Sequence, residues 1–389
     1  MKIGPILVNS AVLLISCVIG LVLCEVGVRF ALTASDYLSV EMVSDEVLGA
    51  VPSRQTRAGG YDSWGFRNPH VPDSSDIVAI GDSHTYGNTA RTEDAWPAVL
   101  ERLSGRSVYN MALGGYGPNQ YFHLLQTKAI KLKPQTIVVG LYMGDDFENA
   151  YSITYGLKYW AYLRGLPAQD VNADIWDAPE PKPTAFKVVR VWLSQHSVIY
   201  QLLFHGAFSG RTQGEVQIRN AAQFYPGTAT SLIVPEENIS EAFRPKSMLT
   251  RLDQESPDVQ EGMRITFELL KKMNEICHQN HVEFMVVVIP IKEAVFSDYL
   301  EHDSQLPLSD VLARLLPNER MAREKTLSFL SDSAIPFVDP LPALRKAEHE
   351  QLYARTAADM HPSKNGYRVI AEAVAEACKR LLESVRASN

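Results

Sequence analysis

The sequence predicts an α/β protein, a parallel sheet of five strands with helices on both faces, preceded by one N-terminal transmembrane helix. Three observations carry this expectation. Five short strand-like runs (Ile77–Ile80, Ser107–Asn110, Thr136–Met143, Val282–Ile289 and Ile335–Val338) alternate with stretches of helical periodicity. The third, Thr136–Met143, is almost continuously apolar, as a parallel strand buried on both faces is. From Ile3 to Cys24 there is no charged side chain, 22 residues that would make a helix of about 33 Å, enough to cross a bilayer.

The chain has 389 residues, 46% of them hydrophobic and 21% charged, a globular composition with room for one large domain or two ordinary ones. Its net charge of −8 and lack of a basic patch exclude a nucleic-acid partner. The N-terminal run is expected to be an uncleaved anchor over residues 1–31. A signal peptide would have a shorter apolar region, and Leu32-Thr33-Ala34 is a poor cleavage site. Leu14-Ile15-Ser16-Cys17 imitates a lipoprotein box, but the apolar run continues past it. Lys2 precedes the run, and acidic residues Asp36, Glu41, Asp45 and Glu46 follow Arg29. That asymmetry favours a cytoplasmic N-terminus, with the rest of the chain outside the cytoplasmic membrane.

Residues 32–75 read as a linker leading into the main domain, 76–389, and Ser63–Arg67 is expected to pack at the sheet edge. After the first strand, Thr92 is a plausible N-cap for a helix reaching Leu103, with Glu93 and Asp94 in its first turn. Leu113-Gly114-Gly115-Tyr116-Gly117 imitates a dinucleotide loop, but the acidic residue such a unit needs is not at the right distance. A helix is expected from Asn119 to about Lys131. Residues 150–260 interrupt the strand–helix alternation, with an evident break at Asp177–Pro183. Within them Phe186–Phe204 has apolar residues at helical spacing and reads as an amphipathic cap helix, a membrane surface being its alternative resting place. Gly227–Arg251 reads as loop. Helices follow at about 260–279, at Ser309–Leu330 with a break near Pro317, and from Asn365 to about Ser384. Cys277 and Cys378 are expected as buried thiols, and no zinc-ligand spacing occurs, His278 and His281 lying where a helix runs into a strand.

The chemistry concentrates at Ile77-Val78-Ala79-Ile80-Gly81-Asp82-Ser83-His84. Ser83 would stand at the carboxyl end of a buried strand, where open α/β sheets place their sites. A serine there is a nucleophile only if a histidine and a carboxylate reach it, and Asp359-Met360-His361-Pro362 offers both. In that reading Ser83 attacks, His361 is the base, and Asp359 orients the imidazole; Asp82 caps the local turn.

Gly81-Asp82-Ser83-His84 together with Asp359-Met360-His361-Pro362 resembles the SGNH (GDSL-like) hydrolase superfamily, in particular its membrane-anchored bacterial members, over roughly residues 57–385. The resemblance implies a flavodoxin-like strand order, a serine esterase without a cofactor, and an oxyanion hole made by the Ser83 N–H, a glycine N–H and an asparagine side chain. Gly115 matches that glycine best, Gly114 being the one-residue alternative. The family's Gly-X-Asn-Asp block is Met143-Gly144-Asp145-Asp146 here, so Asp145 stands in the asparagine's place. An ionised carboxylate facing an oxyanion would oppose catalysis, so Asp145 must be protonated, turned away, or part of a site that no longer hydrolyses. The chain also has Asp-X-His where many members have Asp-X-X-His; Ala358 fills the more distant position and cannot serve. His84 replaces the leucine of the GDSL form and is a minor candidate for a second catalytic histidine.

The function expected is that of an anchored, exported serine esterase acting on O-acyl groups of an acylated small molecule or cell-envelope carbohydrate. Transfer of an acyl group to a polysaccharide through the same triad, and a non-catalytic binding protein that keeps the fold, are the alternatives.

Overall fold

The computed structural model describes residues 3–53, 60–167, 185–208, 225–302, 305–354 and 359–388. Ala358 and the Asp177–Pro183 break lie outside them. Helix α1 (Ile3–Ala31) is long and apolar enough to cross a membrane, and its window Val8–Ala31 has no buried residues. A hairpin, β1 (Met42–Asp45) and β2 (Gly49–Pro52), comes next. The expected linker is therefore partly folded structure. Arg67, Phe66 and Asp62 within it are buried, and Asp62 Oδ2 accepts a 2.6 Å hydrogen bond from Tyr109 on an edge strand. A segment dense in Gly, Asp and Ser can thus be well packed when its polar groups find partners in the domain.

The main sheet begins with β3 (Ile77–Gly81) and the one-turn helix α2 (Ser83–Tyr86). Helix α3 (Trp96–Ser104), strand β4 (Val108–Ala112), helix α4 (Pro118–Thr127), strand β5 (Thr136–Tyr142) and helix α5 (Asp146–Gly156) follow. Thr92 does not cap α3. It opens a separate 3-10 turn, Thr92–Asp94, and its N–H donates to Asp36 Oδ1, while α3 starts at Trp96 with Pro97 in its first turn.

The inserted segment holds α6 (Ala185–His196), α7 (Val198–Phe208), a hairpin of β6 (Thr230–Val234) and β7 (Ile239–Phe243), and α8 (Pro245–Leu252). Two expectations are corrected here. Phe186–Phe204 is two helices, parted at Ser197, whose Oγ accepts from Tyr200 N and so caps α7. Gly227–Arg251 is a hairpin and a helix rather than loop. Its strands have five residues each, and the turn between them places Asn238 at φ +57°, which asparagine tolerates.

The sheet resumes with α9 (Pro257–Gln279) and β8 (Glu283–Ile289). The short helices α10 (Lys292–Val295) and α11 (Ser297–His302) lead to α12 (Ser309–Asp332). Then come β9 (Phe337–Val338), α13 (Leu341–Lys346) and α14 (Lys364–Ser388). Pro317 does not break α12. The carbonyl it frees belongs to the exposed Ala313, so water can satisfy it. The fifth strand is two residues shorter than expected, because Ala334 takes a left-handed conformation and Pro336 contributes only its carbonyl, to Val286 N.

The five sheet strands are all parallel, in the order β4-β3-β5-β8-β9. Counted within the sheet this is 2-1-3-4-5, the flavodoxin-like order, with its switch point between β3 and β5. Every residue of β3 and β5 is buried, so helices cover both faces. Helices α3 and α14 pack together, as do α4, α5 and α9. Gly262 of α9 makes the closest approach, since a Cβ there would stand 2.1 Å from the Phe147 carbonyl oxygen. Cys277 and Cys378 are buried and free.

Candidate active site

The switch point delivers Ser83. β3 ends at Gly81, where a Cβ would stand 2.1 Å from Thr85 Oγ1, so only glycine lets the chain fold back this tightly into α2. Asp82 is the N-cap of that turn, its Oδ1 accepting from His84 N at 2.9 Å. Ser83 is thereby fixed as the first residue of α2, 8% exposed.

His361 arrives from the opposite end of the chain on the loop before α14. Backbone hydrogen bonds from Ala354 N to His361 O and from Ser363 N to Leu352 O hold that loop. Two more bonds tie it to the serine's turn: Thr89 Oγ1 donates to Pro362 O, and Tyr367 Oη donates to Asn88 O. In the result His361 Nε2 is 2.8 Å from Ser83 Oγ. On its other side His361 Nδ1 is 2.6 Å from Asp359 Oδ1, which also accepts from His361 N at 2.9 Å. Serine, imidazole and carboxylate are thus joined in series, with Nε2 turned to the serine.

The electrostatics suit a base held by a carboxylate. Burial alone would pull the His361 pKa down, but the hydrogen bond and charge of Asp359 outweigh it and hold it above the ordinary 6.5. Burial would likewise raise Asp359, but His361 holds its carboxyl below the usual range. Each partner favours the other's charged form.

Asp145 is turned toward an arginine. It follows β5 and forms an ion pair with Arg251 of α8, whose Nε also lies 2.7 Å from Glu148. Crowding by protein raises its pKa, Arg251 opposes that rise, and nearby Asp82 adds to it. Asp146 plays a different part: fully buried, it accepts from Tyr121 Oη at 2.8 Å and from Tyr142 N at 2.9 Å, pinning the start of α5 beneath the site. Of the two glycines, Gly114 is the one set against the serine, a Cβ there standing 3.7 Å from Ser83 Cβ; Gly115 has φ +80° and open space on that side. His84 is buried with its ring stacked on Tyr142, 3.6 Å between centroids, and 4.6 Å from the His361 ring. Its Nδ1 lies 3.2 Å from Asp82 Oδ2, and its ring backs the His361 imidazole. Among the described residues no group of three or more His, Cys, Asp or Glu side chains could hold a metal.

Sequence reasoning missed Arg251 and Tyr142. Tyr142 sits inside a strand whose every residue is apolar or small, and nothing distinguishes it there. Arg251 lies in a segment read as loop, and only the folded insertion brings it to Asp145.

No sequence-family model and no curated protein sequence matches this chain. Solved structures do. The chain is similar to a lipolytic protein of the G-D-S-L family from Desulfitobacterium hafniense, at 14% identity over 78% of this chain and 99% of that one, TM-score 0.37. It is similar to an acetylxylan esterase from Geobacillus stearothermophilus, crystallised as a catalytic mutant, at 11% identity over 79% and 95%, TM-score 0.36. A GDSL-like lipase from Bacteroides thetaiotaomicron matches at 10% identity over 78% and 88%, TM-score 0.34. At such identities the likeness is one of general architecture, and the chemistry has to be read from the side chains.

Proposed function

We propose that this chain is a serine ester hydrolase of SGNH type that removes O-acyl groups, with acylated carbohydrate of the cell envelope as its substrate class and α1 as its membrane anchor. The observation that carries the reading is the unbroken series Ser83 Oγ, His361 Nε2, His361 Nδ1, Asp359 Oδ1, at 2.8 and 2.6 Å, at the carboxyl end of the sheet. Carbohydrate enters because an anchored, exported domain meets envelope glycans.

The steps follow from that series. As Ser83 Oγ bonds to the ester carbonyl carbon, His361 Nε2 takes the hydroxyl proton, and the carbonyl electron pair moves to oxygen. Asp359 stabilises the imidazolium. The Ser83 N–H and the N–H of Gly115, or of its neighbour Gly114, receive the oxyanion. The pair then re-forms the carbonyl, the ester C–O bond breaks, and His361 gives its proton to the departing alcohol. A water, deprotonated by His361, then bonds to the acyl carbon, the acyl C–Oγ bond breaks as the carbonyl re-forms, and His361 returns the proton to Ser83 Oγ while the acid leaves. Asp145 has no donor to offer in this scheme while ionised, and its pairing with Arg251 keeps its charge from opposing the oxyanion unscreened.

The test is reaction of Ser83 with a fluorophosphonate, together with turnover of short acyl esters and acetylated glycans. Labelling at Ser83 with release of acid from the esters supports the proposal. A folded protein that neither labels nor hydrolyses any of them overturns it.

A further inference from the structure

We propose that helices α6 and α7 form a second membrane contact, lying in the lipid interface beside the end of α1. The inference rests on the reading of α1 as a bilayer span. The two charged side chains on α1, Glu25 and Arg29, are both committed to these helices. The Glu25 carboxylate accepts from Ser197 Oγ at 3.0 Å, Val198 N at 2.9 Å and Ile199 N at 3.0 Å, so it closes the N-terminus of α7. Arg29 pairs with Glu25 at 2.8 Å and donates to the His196 carbonyl, the last residue of α6, at 2.9 Å. A carboxylate on an apolar span is costly unless its charge and lone pairs are satisfied. Here the junction of α6 and α7 satisfies them, and the junction is held at the height of the last two turns of the span.

That attachment decides what covers the apolar face of α6. Phe186, Val189 and Trp192 recur every three residues along one face, flanked by Val188 and Val191, and they are 79%, 56%, 56%, 50% and 44% exposed. Leu203 of α7 is 61% exposed. Soluble surfaces seldom leave so much apolar area contiguous. A bilayer around α1 reaches the start of α7 through the bonds of Glu25, so lipid is the occupant continuous with this face. Neither helix is long enough to cross: the 12 residues of α6 make about 18 Å of helix. An interfacial position is what remains, with a tryptophan on the buried side and the exposed Arg190 near the rim, as interfacial helices have.

Brominated-lipid quenching of tryptophan tests this on the full chain in nanodiscs. The emission lost between the unaltered chain and Trp192→Phe isolates Trp192, and Val22→Trp reports on the span. The expected result is that bromines near the acyl-chain top remove most of the Trp192 emission and that bromines placed slightly deeper remove that of Val22→Trp, which lies one turn of α1 inside Glu25. Quenching of Val22→Trp without quenching of Trp192 overturns the interfacial contact and leaves the span standing; a second copy or another protein would then cover the face. Quenching of Trp192 alone keeps the contact and overturns the span. Quenching of neither overturns both.

Discussion

Replacing Asp359 with Asn should slow ester hydrolysis by about 10²–10⁴-fold. The substitution keeps the size of the side chain and removes its charge. Asp359 Oδ1 now accepts from both the ring Nδ1 and the backbone N of His361, at 2.6 and 2.9 Å. If the amide NH2 faces Nδ1, the imidazole must move its proton to Nε2, and it can no longer accept from Ser83. If the amide oxygen faces Nδ1, the tautomer survives but the imidazolium loses its counter-charge. In the Ser-His-Asp template such a change costs about 10⁴ in kcat, or ~5.5 kcal/mol of barrier. Here the Asp359 and His361 side chains are 27% and 22% exposed, so water screens part of that charge and the range extends downward. The profile should change as well as the rate. Asp359 raises the His361 pKa, so its loss moves the activity limb toward lower pH while the plateau falls. The assay is kcat/KM for a short acyl ester across about pH 5–9, the range in which histidine titrates, with circular dichroism to establish folding. A folded variant within about tenfold of the unaltered enzyme at every pH would refute the role of Asp359. Asp82, whose Oδ2 is 3.5 Å from Ser83 Oγ, would become the carboxylate to examine.

Ser83→Ala should abolish both hydrolysis and fluorophosphonate labelling while melting close to the unaltered protein; undiminished turnover would sink the mechanism. In the unaltered enzyme kcat/KM should rise as pH increases through a pKa above 6.5, because the base must be neutral and Asp359 favours its charged form; a limb below 6.5 would contradict that coupling. Arg251→Gln should lower kcat by leaving the Asp145 carboxylate without its partner beside the developing oxyanion, and adding Asp145→Asn should restore it; a double variant as slow as the single one would show that Arg251 acts by another route. Gly262→Ala should cost about 1–3 kcal/mol or more in chemical denaturation, since the new methyl meets the Phe147 carbonyl where α9 crosses α5, and an unchanged midpoint would refute that close approach.

The sheet was legible in the sequence where burial is two-sided. Val138, Val139, Val286 and Val287 are apolar at successive positions because both faces of β5 and β8 are covered. Ser83 was legible because a Gly-Asp-Ser turn ends such a run, and His361 because proline follows Asp-X-His at the threshold of a helix. The insertion was not. Strands of five residues such as Thr230–Val234 carry too few alternations to stand out, and Leu232 is buried by partners far away in the chain. Asp145 was recognised as a departure from the family pattern, but what compensates it is Arg251, a tertiary neighbour 106 residues later, and local sequence holds no trace of that pairing. That Ser63–Arg67 would pack at the sheet edge was expected, but the partners found there, Tyr109 beside Phe66 and Asp36 beside Arg67, were hidden for the same reason, since both come from elsewhere in the chain.

The hydrogen bond between Ser83 and His361 joins residues 278 positions apart. A ribosome adding about 5–20 residues each second makes the histidine some 14–56 s after the serine. Once β4 and β5 have been made, β3 can pair with both and the serine can take its place on the turn, yet no base exists to draw off its proton. The chemistry therefore has a built-in delay. Ester cleavage begins only when the loop ahead of the last helix has been made and docked, and a chain interrupted before residue 361 lacks the base that the reaction needs.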